Sequence, residues 1–255
     1  MECPVPVKNN EIFPFPKSLV AGHWSLVTVL PRRNSMSKLL RIGVLASGGG
    51  TNLQAIIDRC MDGSLAAEIA VVITNNPGAG ALDRASSAGV PTLCINHRDF
   101  SQRHEFDGAV VKALQDAGVE LVVLAGFMRI ITQTFIDAFP ERIINIHPAL
   151  LPAFPGLHVQ QQALDYGARF SGCTVHLVDG GVDTGPIIMQ AVVPILADDD
   201  ADTLAARILE QEHRIYPRAI QLIAEGRVHI NGRQVKIDPD GVVETTALVN
   251  PAIAD

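Results

Sequence analysis

The 255 residues predict an α/β fold, an open and mostly parallel sheet with helices on both faces and an antiparallel addition toward the C-terminus. Three observations carry that expectation. Five short β-branched runs alternate with helix-like segments. Those runs are apolar throughout rather than at every second residue, the pattern of strands buried on both faces. The last two strand-like runs follow each other closely, with no helix between them.

Taken in order, RIGVLA (41–46) runs into a glycine turn and a helix around 53–61, and EIAVVIT (68–74) into a helix around 79–88. PTLCI (91–95) precedes a helix over 101–117, ELVVLAG (120–126) one over 132–138, and RIINI (142–146) closes the parallel set, a Rossmann-like layout. SGCTVHLVD (171–179) and GPIIMQAVVPI (185–195) read as the antiparallel or edge addition. A long amphipathic helix is expected from about Thr203 to Ala224, with the acidic DDDAD (198–202) capping its start. RVHINGRQVKI then forms a hairpin whose turn is Asn231-Gly232. Upstream, the apolar stretch Ser18 to Leu30 is interrupted by His23 and Trp24, is too short for a bilayer, and precedes no small-residue cleavage site. It is read as neither signal peptide nor membrane anchor, and Met36 is a candidate start.

Composition narrows the function. Twenty Lys plus Arg against twenty-seven Asp plus Glu give a net charge of −7, and no basic tract stands out, which argues against a nucleic-acid partner and for a small molecule. Cys3, Cys60, Cys94 and Cys173 lie far apart without C-x-x-C or Cys/His ligand spacing. Neither a disulfide framework nor a zinc site is expected, and reduced thiols in a cytoplasmic core fit better.

The first functional signal is LASGGGTNLQAII (45–57), a strand entering three glycines and then a helix whose first turn holds Thr51 and Asn52. Free N–H groups and the positive helix end converge there, which suits a phosphate. A Walker loop would need Gly-Lys-Ser/Thr, and a dinucleotide loop a small residue where Leu53 stands. A phosphate monoester fits better than either, although an unliganded glycine turn is an ordinary alternative.

The second signal is NIHPALLPAFPGLH (145–158). Asn145 and His147 are two apart on a strand, so they share a face, at the carboxyl end where open α/β sheets keep their ligand crevice. The prolines that follow fix the loop without requiring a helix to start there. VDGGVDTGPII (178–188) is a glycine-rich turn that can bring Asp183 to the same crevice, whereas Asp179 fits a turn aspartate bonding its own backbone. Glu212 falls four residues after Ile208, on the apolar stripe of Leu204, Ile208, Ile215 and Ala219, where a carboxylate needs a partner. That partner is either an internal arginine or the ammonium of a substrate.

SGGGTNLQAIID, VVLAGFMRI, NIHPALLPAFPGLH, DGGVDTGPII and EQEHRIYP stand in the order and spacing of the folate-dependent phosphoribosylglycinamide formyltransferases, and the chain resembles that family over about residues 41–230. The resemblance implies transfer of a formyl group from 10-formyltetrahydrofolate to the amine of glycinamide ribonucleotide in purine synthesis, without a metal. It makes Asn145, His147 and Asp183 the catalytic set. Gly50, Thr51 and Asn52 become the substrate-phosphate turn, with Glu212 meeting the substrate's amino end. On the folate side it puts Arg103, Met128, Arg129, Ile130 and Ile131, together with Asn145 and the turn Asp179, Gly180, Gly181, Val182 and Asp183. The loop departs from the family pattern at Gly49, where asparagine is frequent, and at Thr51, where serine is usual. Residues 39–232 are then the formyltransferase domain, 1–38 an N-terminal extension and 233–255 a C-terminal tail. Formyltetrahydrofolate hydrolases share the Asn-x-His and Asp features but carry an N-terminal regulatory domain, and methionyl-tRNA formyltransferases add a substantial C-terminal domain and a basic surface. Monomer and homodimer both stay open.

Overall fold

A computed structural model describes residues 38–238, and every statement of structure below concerns those residues. The expectations for Ser18–Leu30 and Met36 lie outside them. Along the chain run β1 (Leu40–Ala46), α1 (Thr51–Met61), β2 (Ala67–Thr74), α2 (Gly80–Ser87) and β3 (Thr92–Cys94). Next come α3 (Arg103–Asp116), β4 (Leu121–Leu124), α4 (Gln133–Ala138), β5 (Ile143–His147) and α5 (Val159–Tyr166). β6 (Phe170–Leu177), β7 (Ile187–Pro194), α6 (Ala201–Ala224), β8 (Val228–Asn231) and β9 (Gln234–Ile237) complete it. The main sheet has the order β3-β2-β1-β4-β5-β6-β7. Pairing is parallel from β3 to β5 and antiparallel from β5 through β7.

The order reverses between β1 and β4. Chain leaving β1 and chain leaving β4 therefore part in opposite directions, and a crevice opens beyond the carboxyl ends of these strands. Why the strands are apolar throughout is visible in β1, where Val44 packs in one core and its neighbour Leu45 in another. The first core sets Leu53 and Ile56 of α1 and Tyr216 and Ile220 of α6 against Val44, Val123 and Ile144. The second sets Phe106, Val110 and Leu114 of α3 and Phe135 of α4 against Leu45, Val122 and Ile143. Each such side chain, removed from water, contributes roughly 1.5–3 kcal/mol before entropy is subtracted.

α6 starts as the acidic run suggested. Asp200 accepts the Thr203 N–H at 2.8 Å and its own N–H goes to Thr203 Oγ1 at 2.9 Å, a reciprocal cap that carries the helix back to Ala201. One element was not expected: α5 follows the proline loop, because the prolines end at Pro155 and Val159–Tyr166 reads VQQQALDY, with Val159 and Ala163 buried one turn apart. The domain end expected at 232 falls inside the β8–β9 hairpin. There Val228 pairs with Ile237 and Ile230 with Val235, and all four pack on the first core, so ordered pairing continues to Ile237.

Candidate active site

β6 lies antiparallel to β5 with Asn145 opposite His176 and His147 opposite Thr174. The polar pair of one strand is thus answered by a polar pair on the next. His176 Nδ1 lies 2.8 Å from the Leu177 carbonyl, which can only accept, so the ring donates there and Nε2 is left to accept. Asn145 Nδ2 is 3.2 Å from that Nε2. Burial pushes the His176 pKa down, against the pull of the Leu177 carbonyl and of the Asp183 carboxylate. A neutral His176 therefore holds one N–H of the Asn145 amide and leaves the second N–H to the crevice.

His147 is 4% exposed, and its Nε2 is 2.9 Å from the Phe154 carbonyl. By the same reasoning Nε2 carries a proton, and Nδ1 is the atom that faces Asp183 Oδ2, at 3.4 Å. Asp183 Oδ2 also accepts the Gly156 N–H at 2.9 Å, while its Oδ1 lies 3.7 Å from His176 Nε2. One carboxylate thus sits between two imidazoles. Its residue has φ 53°, a left-handed conformation uncommon for a side chain other than glycine, and local strain of this kind recurs where a site must aim a group. Phe154 and Gly156 are presented by a loop that β6 and β7 pin down. Thr174 Oγ1 donates to the Ala149 carbonyl at 2.7 Å and accepts the Leu151 N–H at 3.1 Å, and Gln190 Nε2 donates to the Leu151 carbonyl at 2.9 Å.

Gly50 precedes α1 with φ 72°, and a Cβ there would stand 2.8 Å from the Ala81 Cα. Only glycine fits, for both reasons. The turn is held from α2, with the Ala81 N–H on the Gly48 carbonyl at 3.1 Å and Arg84 Nε on the Gly49 carbonyl at 2.7 Å. Helix α1 opens at Thr51, so the first-turn N–H groups of Thr51 and Asn52 have no carbonyl of their own helix to meet. Beside them a cavity of about 330 Å³ is lined by Thr51, Gln54, Arg84 and His213 among others. Glu212 is 6% exposed and accepts the Asn52 Nδ2–H at 2.7 Å. Its partner in the protein is an amide, not the internal arginine that was one expectation. Burial raises its pKa, opposed in part by that hydrogen bond. Asn52 Oδ1 is buried with no partner, an acceptor left for a donor from outside.

The loop after β4 is fastened at its ends. The Met128 N–H goes to Ser47 Oγ at 2.8 Å, and the Thr132 N–H goes to Asp107 Oδ2 at 2.6 Å, Asp107 being buried in α3. Between them the Arg129 guanidinium lies 5.7 Å from the centre of the Phe106 ring, a cation–π contact. Ile131 packs partly into the second core, whereas Met128 and Ile130 are 66% and 58% exposed. Arg103 is exposed at the first turn of α3, three residues before Phe106. In the 179–183 turn, Asp179 Oδ1 accepts from the Gly181 N–H at 3.0 Å and from Thr184 Oγ1 at 2.5 Å, so its carboxylate is occupied by its own turn. Gly180, Gly181 and Val182 are exposed beside it.

Thus Asn145, His147 and Asp183 meet at one corner, and Asn52 with Glu212 at another. His176 was missed. Its signal is present in GCTVHLV (172–178), where Thr174 and His176 are polar residues two apart in an otherwise apolar run. A second cavity, about 540 Å³, contains none of these residues: Arg59, Leu65, Met189, Arg214 and Ile215 are among its lining. Among the described residues no group of three or more His, Cys, Asp or Glu side chains could hold a metal ion.

Residues 40–220 match the formyl transferase family model. A phosphoribosylglycinamide formyltransferase of Haemophilus influenzae is 43% identical over 198 residues, which cover 78% of this chain and 93% of that one. The crystal structure of glycinamide ribonucleotide transformylase 1 from Symbiobacterium toebii is similar at 53% identity with a TM-score of 0.78, over 79% of this chain and 95% of that one. The trifunctional purine biosynthetic protein adenosine-3 of Drosophila melanogaster is 50% identical over 193 residues, and there the chain spans 14% of the relative's length. With the family match over most of its length and a curated relative covered almost end to end, the chain belongs to the formyl transferase family and, within it, to the phosphoribosylglycinamide formyltransferases.

Proposed function

We propose that the protein transfers the formyl group of 10-formyltetrahydrofolate to the amine of glycinamide ribonucleotide, yielding tetrahydrofolate and the N-formyl product, as a step of purine biosynthesis. The observation that carries this reading is the convergence of Asn145, His147 and Asp183 at the carboxyl end of β5, with His176 completing the group.

The amine attacks the formyl carbon, so negative charge grows on the formyl oxygen and positive charge on the attacking nitrogen. Asn145 keeps one amide N–H for that oxygen, in the place where an oxyanion donor lowers the barrier. His147, with Asp183 Oδ2 beside its Nδ1, stands at the same corner. When the C–N10 bond breaks, N10 takes a proton, and the amine has lost one. The imidazole–carboxylate pair is placed to pass that proton, directly or through water. Gly50, Thr51 and Asn52 bind the 5′-phosphate through backbone N–H groups. Glu212 meets the amino end of the substrate. The pterin lies against Met128, Arg129, Ile130 and Ile131 and the 179–183 turn, with Arg103 toward its glutamate tail. No metal takes part. We place the enzyme in the cytoplasm as monomer or homodimer, with small-molecule partners alone.

An assay of formyl transfer with glycinamide ribonucleotide present or omitted tests the reading. Tetrahydrofolate should form only when the ribonucleotide is present. Release of formate in its absence would make the protein a hydrolase, and no turnover in either case would make it a binder.

A further inference from the structure

Ser47 lies between the two substrate regions and is bonded to one while it belongs to the other. It is the residue immediately before the glycine turn 48–50. Its N–H donates to the Gly126 carbonyl at 3.0 Å, and its Oγ accepts the Met128 N–H at 2.8 Å, so two bonds from a single residue grip the loop after β4. The hydroxyl proton is committed as well, to Asn75 Oδ1 at 2.6 Å. Asn75 is 6% exposed and is fixed in turn by His97, whose Nδ1 stands 3.2 Å from Asn75 Nδ2 and 3.1 Å from its carbonyl, so either ring tautomer finds a partner. The His97 ring meets Phe106 edge-on at 6.4 Å, and Phe106 stacks on Phe127 and lies under Arg129. Beyond Ser47 the turn is open: a Cβ added to Gly48 or Gly49 would meet nothing within 4 Å.

We propose that Ser47 is a positioning residue that couples the two substrates, so that a phosphate ordering the glycine turn also orders the 126–131 loop for the folate, and the folate does the same in return. The inference rests on the reading above, in which the turn takes the phosphate and the loop takes the pterin. The physical reason is that the Ser47 bonds tie the turn to the loop. A ligand that restricts the remaining motion of one restricts the other, and the second ligand then has less freedom left to remove. Such coupling is reciprocal by necessity. Asn75, itself held by His97, keeps the Ser47 hydroxyl pointed.

The test is calorimetric titration of tetrahydrofolate with and without saturating glycinamide ribonucleotide. In the natural protein the ribonucleotide should tighten tetrahydrofolate about fivefold or more. In Ser47→Ala the ratio should fall close to one, Ser47→Thr should restore it, and Asn75→Ala, which removes the acceptor for the hydroxyl proton, should lower it by a second route. Equal ratios in the natural protein and Ser47→Ala, a ratio of one in the natural protein, or no recovery in Ser47→Thr would overturn the coupling. Failure of glycinamide ribonucleotide to bind at all would overturn the substrate reading instead. The coupling is then decided by hydrogen exchange with inorganic phosphate as the probe. Phosphate should slow exchange of the 126–132 amides in the natural protein and not in Ser47→Ala. Equal slowing in both, or in neither, would overturn it.

Discussion

The glycine turn before α1 and the corner where β5 meets β6 are made of opposite materials. The turn offers backbone: a left-handed glycine, first-turn N–H groups and two braced carbonyls, all specified by neighbours in sequence and by Ala81 and Arg84. The corner offers side chains, an amide, two imidazoles and a carboxylate, gathered from positions up to 38 residues apart, as Asn145 is from Asp183. A backbone site binds a fixed charge and does not change protonation. A side-chain site can move protons, and it depends on strand register to assemble.

If that contrast is right, changes at the corner should reduce turnover while changes at the turn should reduce substrate affinity. The largest effect is expected from Asp183→Asn. The amide oxygen can still accept the Gly156 N–H, so the loop keeps its shape while the charge between the rings is gone. kcat should fall about 10³-fold with the melting temperature nearly unchanged. Wild-type turnover in this variant would remove the carboxylate from the mechanism. Asn145→Ala follows, with a loss of about 10²–10³ in kcat for one missing oxyanion donor, measured at saturating levels of both substrates. His176→Phe preserves volume but drops the acceptor that orients the amide. About tenfold in kcat is expected, the worth of one hydrogen bond of ~1.4 kcal/mol, and no loss would mean that Asn145 orients itself.

At the turn, Gly50→Val should raise the KM for glycinamide ribonucleotide several-fold more than the KM for the folate, because both the φ of 72° and the approach to Ala81 are violated locally. Equal changes in the two KM values would erase the contrast. The smallest effect concerns Glu212, which bridges toward the turn through Asn52. Its folded pKa lies above the ordinary carboxylate value of 4.5, so over the interval between the two the folded state holds more protons than the unfolded one. Its contribution to stability is therefore fully present below that ordinary value and is lost as pH rises through the folded pKa. Denaturant unfolding of Glu212→Gln should show a shallower decline across that window than the natural protein, and parallel curves would show that burial does not perturb this carboxyl.

Much of this architecture was legible beforehand, for reasons that differ between its parts. The inner parallel strands announced themselves because burial on both faces leaves few polar positions, as Val44 and Leu45 illustrate, whereas the edge strand β3 is exposed along Thr92–Cys94. The turn was legible because its chemistry is local. α5 was not, since three prolines in a row of ten residues look like a segment without helix, and the helix formers start only after Pro155. His176 escaped for another reason: its value lies in facing Asn145, and register between antiparallel strands 31 residues apart is not written in either strand alone. Asp107 escaped likewise, because a charge at 1% exposure makes sense only once the Thr132 N–H is placed on it.

The groups that hold His147 and Asp183 from the 148–156 loop are a main-chain oxygen and a main-chain N–H, those of Phe154 and Gly156. The exposed side chains of that loop, those of Pro152, Ala153 and Pro155, are consequently free to drift so long as the path of the chain is kept, whereas Ala149 and Leu151 are buried. Reshaping the outer surface here should therefore start at Leu157, just beyond the loop and exposed, rather than at Phe154, whose ring packs against Tyr166.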